Sequence, residues 1–136
     1  MIITKTEFDS LLILKYKSFE DSRGLFFESY RFDILNNHLD KEILFCQDNV
    51  VKSHKNVLRG LHFQNPNPQS KLITVLNGKI LDVAVDIRPN SKTYGKVFSI
   101  ELSKKNKTSL FIPKGFAHGY LSLENNTIVH YKVDDF

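Results

Sequence analysis

The sequence predicts an all-β fold, a double-stranded β-helix barrel of the jelly-roll, cupin type with one short helix. Many short apolar runs are separated by turn residues, a pattern typical of sandwiches and barrels rather than of alternating strands and helices. The 136 residues also include 11 Phe and 5 Tyr but no Trp. Aromatic residues fit the pleated surface of a sheet, so this composition also favours strands.

The elements follow from local patterns. Two β-rich runs, 71–76 and 79–87, flank Asn77-Gly78, which predicts a tight hairpin because both central positions of such a turn need positive φ. In the second run we expect Leu81 and its alternate neighbours to face the core, and Asp82 and Asp86 to lie on the other face. A short helix is expected at 31–39, where apolar residues recur at helical spacing. Further strands are expected at 11–17, 24–30, 44–51, 57–64, 95–103, 108–113, 119–123 and 127–133.

The length and charge of the chain limit the classes of protein to which it can belong. No repeat or linker interrupts residues 1–136, so one domain is expected. The net charge is +4, but the lysines are scattered. Their tightest group, Lys104, Lys105 and Lys107, lies in a polar turn and is interpreted as a solvated surface rather than a nucleic-acid site. No nucleic-acid partner is therefore expected, and the modest positive charge suits a small anionic substrate.

Location can also be predicted. The longest apolar runs are far too short to span a bilayer, and the N-terminus lacks the pattern of a signal sequence. The single cysteine, Cys46, cannot form an intrachain disulfide, which favours a reducing compartment. We expect a cytoplasmic protein with no membrane partner.

Two histidines follow glycines at the edges of β-patterns, His62 in the segment 57–64 and His118 after Pro113-Lys114-Gly115. Barrels of this type often hold a metal with a His-x-His pair and a third histidine. Here two histidines without a carboxylate partner make a poor site, since three protein ligands are the usual minimum. No metal is expected.

Acid/base chemistry without a metal is the better interpretation. An imidazole ordinarily titrates near neutral pH, which makes His62 the natural general base. Lys71 could stabilise an enolate oxygen, and Tyr131 could donate a proton from the opposite face of a substrate. Taken alone, a histidine or tyrosine in a strand is more often structural. For Arg59 and His62 to serve one pocket, their strand must bulge between them, and Gly60 is the expected place.

These segments resemble the dTDP-4-dehydrorhamnose 3,5-epimerase family, in the same order over nearly the whole chain. The matching stretches are 21–29, 47–49, 58–64, 70–72, 78–88, 112–119 and 129–132. The resemblance implies that His62 is the proton acceptor, Tyr131 the proton donor and Lys71 the lysine near the substrate's C4 oxygen. It implies substrate-binding positions at Arg23, Glu28, Gln47, Asp48, Asn49, Arg59 and His118.

The resemblance also implies a substrate and an assembly. The substrate would be dTDP-4-dehydro-6-deoxy-D-glucose, a dTDP-4-keto-6-deoxy sugar whose ketone acidifies the hydrogens on C3 and C5. No cofactor would then be needed. The 23–28 segment belongs in this family to a strand exchanged between subunits, so a homodimer is implied.

Alternatives stay open at this point. The chain stops at Asp134-Asp135-Phe136, whereas family members continue into a segment that supplies an acidic partner for the catalytic histidine. A short homologue, a fragment and an absent tail are all compatible with this, and Asp82 is a candidate substitute. Other readings are a 3-epimerase, a 3,4-ketoisomerase and a binding-only paralogue. The ketoisomerase is disfavoured because its paired-histidine motif is replaced by Leu61-His62-Phe63.

Overall fold

Two antiparallel sheets face each other in the computed structural model, which describes residues 1–136. The elements in chain order are β1 (Ile2–Lys5), β2 (Leu12–Lys15), β3 (Ser18–Asp21), β4 (Gly24–Phe27), α1 (Phe32–Asn36), β5 (Gln47–Ser53), β6 (Leu58–His62), β7 (Lys71–Asn77), β8 (Lys79–Asp86), β9 (Val97–Ser103), β10 (Thr108–Ile112), β11 (Phe116–Ser122) and β12 (Thr127–Val133). The predicted jelly-roll barrel with one short helix is confirmed.

The sheets differ in size. The larger has six strands in the order β1-β2-β10-β7-β12-β5, and the smaller has four in the order β6-β11-β8-β9. Strands β3 and β4 pair only with each other and form a separate two-stranded hairpin. Consecutive strands therefore often lie in different sheets, so most pairings join distant parts of the chain.

The main core fills the space between the two sheets. It contains 12 buried residues, among them Ile73 and Val75 of the larger sheet and Ile80 and Ala84 of the smaller one. A second cluster covers the outer face of the larger sheet, where Leu35 of α1 belongs to a group with Leu12, Leu14, Leu72 and Phe111. Because β7 is covered on both faces, its residues 72–75 are all buried and all apolar except Thr74.

The helix is shorter than the sequence predicts. Only Phe32–Asn36 is helical, and Leu35 is the residue that it buries completely. No helix of the structure is long and apolar enough to cross a membrane. Strands β1 and β3 were not predicted, since four residues with one or two apolar side chains give little signal without their partner strands.

The predicted hairpin at Asn77-Gly78 is wrong. Gly78 does have positive φ, +74°, but Asn77 is not among the residues with positive φ, so only one of the two central positions has the expected conformation. However, β7 pairs with β10 and β12, while β8 pairs with β11 and β9. The turn therefore carries the chain from one sheet to the other, because local residues determine the turn but not which strand each arm joins.

The predicted core face of β8 is also wrong. Asp82 and Asp86 are fully buried together with Ile80 and Ala84, while Leu81 on the opposite face is 37% exposed. The buried carboxylates are tolerated because they are paired. Burial alone would raise the pKa of Asp86, but hydrogen bonds from Arg88 and from neighbouring hydroxyl groups hold that pKa well below its ordinary value.

Candidate active site

Strand β6 carries one extra residue opposite β11. His62 lies opposite His118, and Arg59 lies opposite Tyr120, so three steps along β6 match two steps along β11. Gly60 sits inside this irregularity with φ of +93°. The bulge expected at Gly60 is confirmed, and it places Arg59 and His62 on the same face of the strand.

Both of these residues line one cavity between the sheets. Its lining residues are Val51, Arg59, His62, Lys71, Ile73, His118, Gly119, Tyr120, Val129 and Tyr131. Five positions that the sequence singled out for chemistry or substrate contact are thus brought together from distant parts of the chain. They are Arg59, His62, Lys71, His118 and Tyr131.

The two sheets supply different groups to the cavity. His62 comes from β6 of the smaller sheet. Tyr131 comes from β12 of the larger sheet, where it pairs with Ile73 of the main core and shares its inward face. Lys71 lies two residues before Ile73 and so shares that face as well. An imidazole on one wall therefore faces a phenol and an ammonium group on the other.

His118 is held by a buried carboxylate. Its Nε2–H donates a hydrogen bond to Asp82 Oδ1 at 2.7 Å, and the two residues are 8% and 0% exposed. Asp82 therefore faces the interior, as its suggested role required, but its carboxylate pairs with His118 rather than with His62. This bond fixes the orientation of the His118 ring and leaves Nδ1 as its second polar atom.

Burial affects the lysine of the cavity. Desolvation lowers the pKa of Lys71 below its ordinary value of 10.5, and the negative charge of Asp82 opposes part of that shift. Partial burial of an ammonium group without a direct carboxylate partner is costly. Such a group is a ready electrostatic partner for negative charge that develops on a bound substrate.

Arg59 is the one arginine of the four without an ion pair. Arg23, Arg31 and Arg88 each contact an aspartate at 2.6–2.7 Å. No aspartate or glutamate is among the residues that line the cavity. The cavity is consequently lined by two cationic groups without a direct ion pair, Arg59 and Lys71, and they suit an anionic ligand.

Two predicted substrate-binding residues lie away from the cavity. Arg23 and Glu28 belong to the β3–β4 hairpin and the stretch that follows it. Arg23 is bound to Asp21 and its side chain is 88% exposed, and Glu28 lies 3.7 Å from Arg31. Neither lines the cavity of its own chain.

The segment 47–49 runs along β5 beside β12. Gln47 and Asn49 share the face of β5 that carries Val51, and the Gln47 amide donates to Asn49 Oδ1 at 2.9 Å. Asp48 lies on the other face, where Lys132 donates to its carboxylate at 2.8 and 2.9 Å. Gln47, Asp48 and Asn49 are not among the lining residues, and the Asp48 side chain points away from them.

Tyr120 is a cavity residue that sequence reasoning missed. It is 5% exposed, and its hydroxyl and Asp82 Oδ2 are the buried side-chain polar atoms without a hydrogen-bond partner. The two residues face each other in the β8–β11 ladder. The available signal was its spacing, because residues two apart in a strand share a face and His118 was already a candidate.

The histidines and carboxylates do not form a metal cluster. No group of three or more His, Cys, Asp and Glu side chains is placed to hold a metal ion. His62 and His118 lie opposite each other in the ladder, but the nearby Asp82 is engaged with His118 alone.

Comparisons with known proteins show the family and agree with this fold. Residues 5–136 match the model of the dTDP-4-dehydrorhamnose 3,5-epimerase family. The chain therefore belongs to that family, whose members are isomerases. A relative of that name from Salmonella typhimurium is 46% identical, over 100% of this chain and 75% of its own length. One from Methanothermobacter thermautotrophicus is also 46% identical, over 96% of this chain and 70% of its own.

Solved structures show the same likeness. A dTDP-6-deoxy-D-glucose-3,5-epimerase from Legionella pneumophila, in complex with dTDP-4-keto-L-rhamnose, superposes with a TM-score of 0.94 at 43% identity. The match covers 99% of this chain and 72% of that one. A dTDP-4-dehydrorhamnose 3,5-epimerase from Bacillus anthracis with TDP and PPi bound gives 0.91 at 43% identity, covering 99% and 78%.

Proposed function

We propose that the protein converts dTDP-4-dehydro-6-deoxy-D-glucose to dTDP-4-dehydro-L-rhamnose by inverting C3 and C5. The observation that carries the proposal is the placement of His62 and Tyr131 on opposite walls of one cationic cavity. Inversion of a carbon acid requires removal of a proton from one face and its return to the other. Two proton-transferring groups on facing walls suit that requirement.

His62 acts as the general base in this mechanism. Its imidazole takes the proton from the carbon next to the C4 ketone, because imidazole is the side-chain group best suited to proton transfer near neutral pH. The electrons of the broken C–H bond move into the carbonyl and give an enolate. The ammonium group of Lys71 stabilises the negative charge on the C4 oxygen. Because the ketone of the substrate accepts the electrons, the step needs no metal or organic cofactor.

Tyr131 completes the inversion. Its phenol donates a proton to the enolate carbon from the opposite face, and the ketone is restored. The same sequence at the second carbon gives the L-configured product. The unpaired charge of Arg59 suits the diphosphate of the nucleotide, in keeping with the relative that binds TDP and PPi.

Single substitutions test the assigned roles in D₂O, with deuterium followed by NMR. His62→Ala should abolish exchange and leave dTDP binding nearly intact. Tyr131→Phe should allow exchange but impair completed inversion. Lys71→Ala should slow both steps, by a factor that corresponds to about 2–4 kcal/mol.

Matched controls separate these roles from general damage to the fold. His130→Ala changes a histidine on the outward side of β12, close to Asp48, and Tyr94→Phe changes a tyrosine that is 61% exposed. Both should behave like wild type. Exchange at the wild-type rate in His62→Ala would refute the base assignment.

We further propose that the active form is a homodimer in which the β3–β4 hairpin crosses to the second subunit. The hairpin pairs with no other strand of its own chain, and it exposes Phe19 and Phe26 to 55% and 64%. Large exposed aromatic side chains favour a protein contact. Crossing would bring Arg23 and Glu28 to the partner's cavity.

Two broader features complete the proposal. We take residues 1–136 as one domain, because the main core draws on both sheets. We take the enzyme to work in the cytoplasm, because its single cysteine, Cys46, is free and a nucleotide sugar is an intracellular type of substrate.

A further inference from the structure

We propose that Ser53 is a positioning residue for Arg59. The Ser53 hydroxyl group accepts from Nε on the side edge of the Arg59 guanidinium. The two terminal amino groups, Nη1 and Nη2, are thereby left to bind an oxyanion, the diphosphate of the substrate. The inference deepens the proposed function and rests on it. It assigns to a serine outside the cavity lining a role in how the nucleotide is held.

A direct hydrogen bond joins the two side chains. The Arg59 Nε–H donates to Ser53 Oγ at 3.1 Å. Ser53 is 3% exposed, whereas Arg59 is exposed. The bond thus ties a long, solvent-accessible side chain to a buried hydroxyl group. Arginine loses much rotamer freedom when it is ordered, so fixing it before the ligand arrives favours binding.

The serine is itself held firmly. It is the last residue of β5, where it lies opposite Thr127 in the ladder with β12, and Thr127 is fully buried. Ser53 belongs to the larger sheet and Arg59 to the smaller one. Their hydrogen bond therefore spans the two walls of the barrel beside the cavity that Arg59 lines.

The other arginines show what this bond prevents. Arg23, Arg31 and Arg88 each grip an aspartate through Nε and Nη2, the side edge of the guanidinium. In Arg59 the Nε–H is already engaged by Ser53. Its four remaining N–H groups, on Nη1 and Nη2, have no partner in the chain, so an oxyanion can be gripped bidentately only across the end edge.

A double-mutant cycle with TDP as the probe tests the inference. Ser53→Ala should weaken TDP binding by about three- to tenfold in calorimetry and raise KM by a similar factor with little change in kcat, because the diphosphate is remote from the reacting carbons. In an Arg59→Lys background, Ser53→Ala should have no further effect, since lysine has no Nε–H edge to orient. Ser53→Thr, which keeps the hydroxyl group, should restore binding.

Controls keep the cycle interpretable. Ser109→Ala removes another buried serine hydroxyl, hydrogen-bonded to Thr74, and should leave the Kd for TDP unchanged. Ser53→Cys keeps the size of the side chain but is a weak acceptor, and it replaces Ser53→Ala if that variant is poorly folded. Thermal unfolding of each variant verifies that the folded form is the one measured.

The outcomes are separable from those of the proposed function. Wild-type affinity in Ser53→Ala, or an equal loss in the Arg59→Lys background, overturns the positioning role even if deuterium exchange proceeds. A wild-type protein that binds TDP but exchanges no deuterium contradicts the epimerase, while the cycle still reports on Ser53. A wild-type protein that does not bind TDP contradicts both the epimerase function and the positioning role of Ser53.

Discussion

Lys71 is the residue whose charge the mechanism needs and whose surroundings oppose that charge. Burial lowers its pKa below 10.5, so the folded protein releases this proton at a lower pH than the unfolded chain does. The cost of burying the ammonium group is present at neutral pH. It is relieved as the pH rises through the window between the lowered pKa and about 10.4, where unfolded lysine titrates.

Activity should fall in that same alkaline window. The neutral amine no longer stabilises the enolate. As the pH rises, kcat of the wild type should therefore begin to decline before pH 10.5 is reached. In Lys71→Arg the decline should move to higher pH, because a guanidinium stays charged above pH 12. Profiles of kcat against pH for the two proteins measure this. An identical alkaline limb in both proteins would assign it to a group other than Lys71.

Tyr120 gives a second prediction, on stability. Its hydroxyl group is buried without a partner, and an unsatisfied buried polar group costs about 1–3 kcal/mol. Tyr120→Phe should therefore raise the free energy of unfolding by about 1 kcal/mol in urea titrations. Tyr94→Phe, at an exposed site, should change it by less than about 0.5 kcal/mol. A loss above about 1 kcal/mol in Tyr120→Phe would mean that the hydroxyl group is satisfied.

At the scale of single residues, the side chains proposed to carry the chemistry were predictable from the sequence. The hydrogen-bond partners of the cavity residues were not. His62, Lys71 and Tyr131 stand out from residue type and context, and they share one cavity. The pairing of Asp82 with His118 depends on the register between β8 and β11. A single strand read alone suggested the opposite face for Asp82, since alternation shows two faces but not which is buried.

Among the elements, β6 has the clearest functional irregularity. A Cβ on Gly60 would lie 2.5 Å from the His118 carbonyl oxygen and 2.7 Å from Gly119 Cα, and φ is +93°. Gly60→Ala should therefore destabilise the fold by about 2 kcal/mol or more. It should also lower kcat/KM at least about tenfold, because Arg59 and His62 depend on this bulge for their common face.

Gly95→Ala is the matched control for that substitution. Gly95 also has positive φ, +76°, but a Cβ there meets nothing within 4 Å. It should cost stability through backbone strain alone and leave kcat/KM unchanged. Urea unfolding and steady-state kinetics on both variants make the comparison. Equal kcat/KM for the two variants would contradict the role of the bulge.

The bulge and the β7–β8 turn show how far element-level prediction reaches. The bulge was predicted because two functional residues at odd spacing required it. In the turn at Asn77-Gly78, Gly78 has the expected positive φ but Asn77 does not, and the two arms join different sheets. Strand pairing here is decided by contacts between distant segments, and the residues of the turn do not indicate which strands will pair.

For the whole molecule, the proposed dimer is the feature most open to test. Sedimentation should give twice the chain mass of 15.8 kDa. Replacing Phe19 and Phe26 with serine should shift the protein toward monomer and lower activity, because the β3–β4 hairpin would no longer reach the partner's cavity. Tyr94→Ser, at another exposed aromatic side chain, should leave the dimer intact. A fully active monomer would contradict strand exchange.

The fold class was predictable because strand-forming runs and turns recur along the chain. The sheet order was not, since most of the paired strands are not consecutive in the chain. The strength of the family resemblance lay in the order of several weak motifs over nearly the whole chain, and the match over residues 5–136 bears it out.

The central claim, inversion at both C3 and C5, is tested most directly with the wild-type protein. Incubation with dTDP-4-dehydro-6-deoxy-D-glucose in D₂O, followed by NMR, should show deuterium at both carbons and the L-configured product. Deuterium at C3 alone would indicate a 3-epimerase, and a 3-keto product would indicate a ketoisomerase. TDP binding without any exchange would contradict the claim and leave a binding protein.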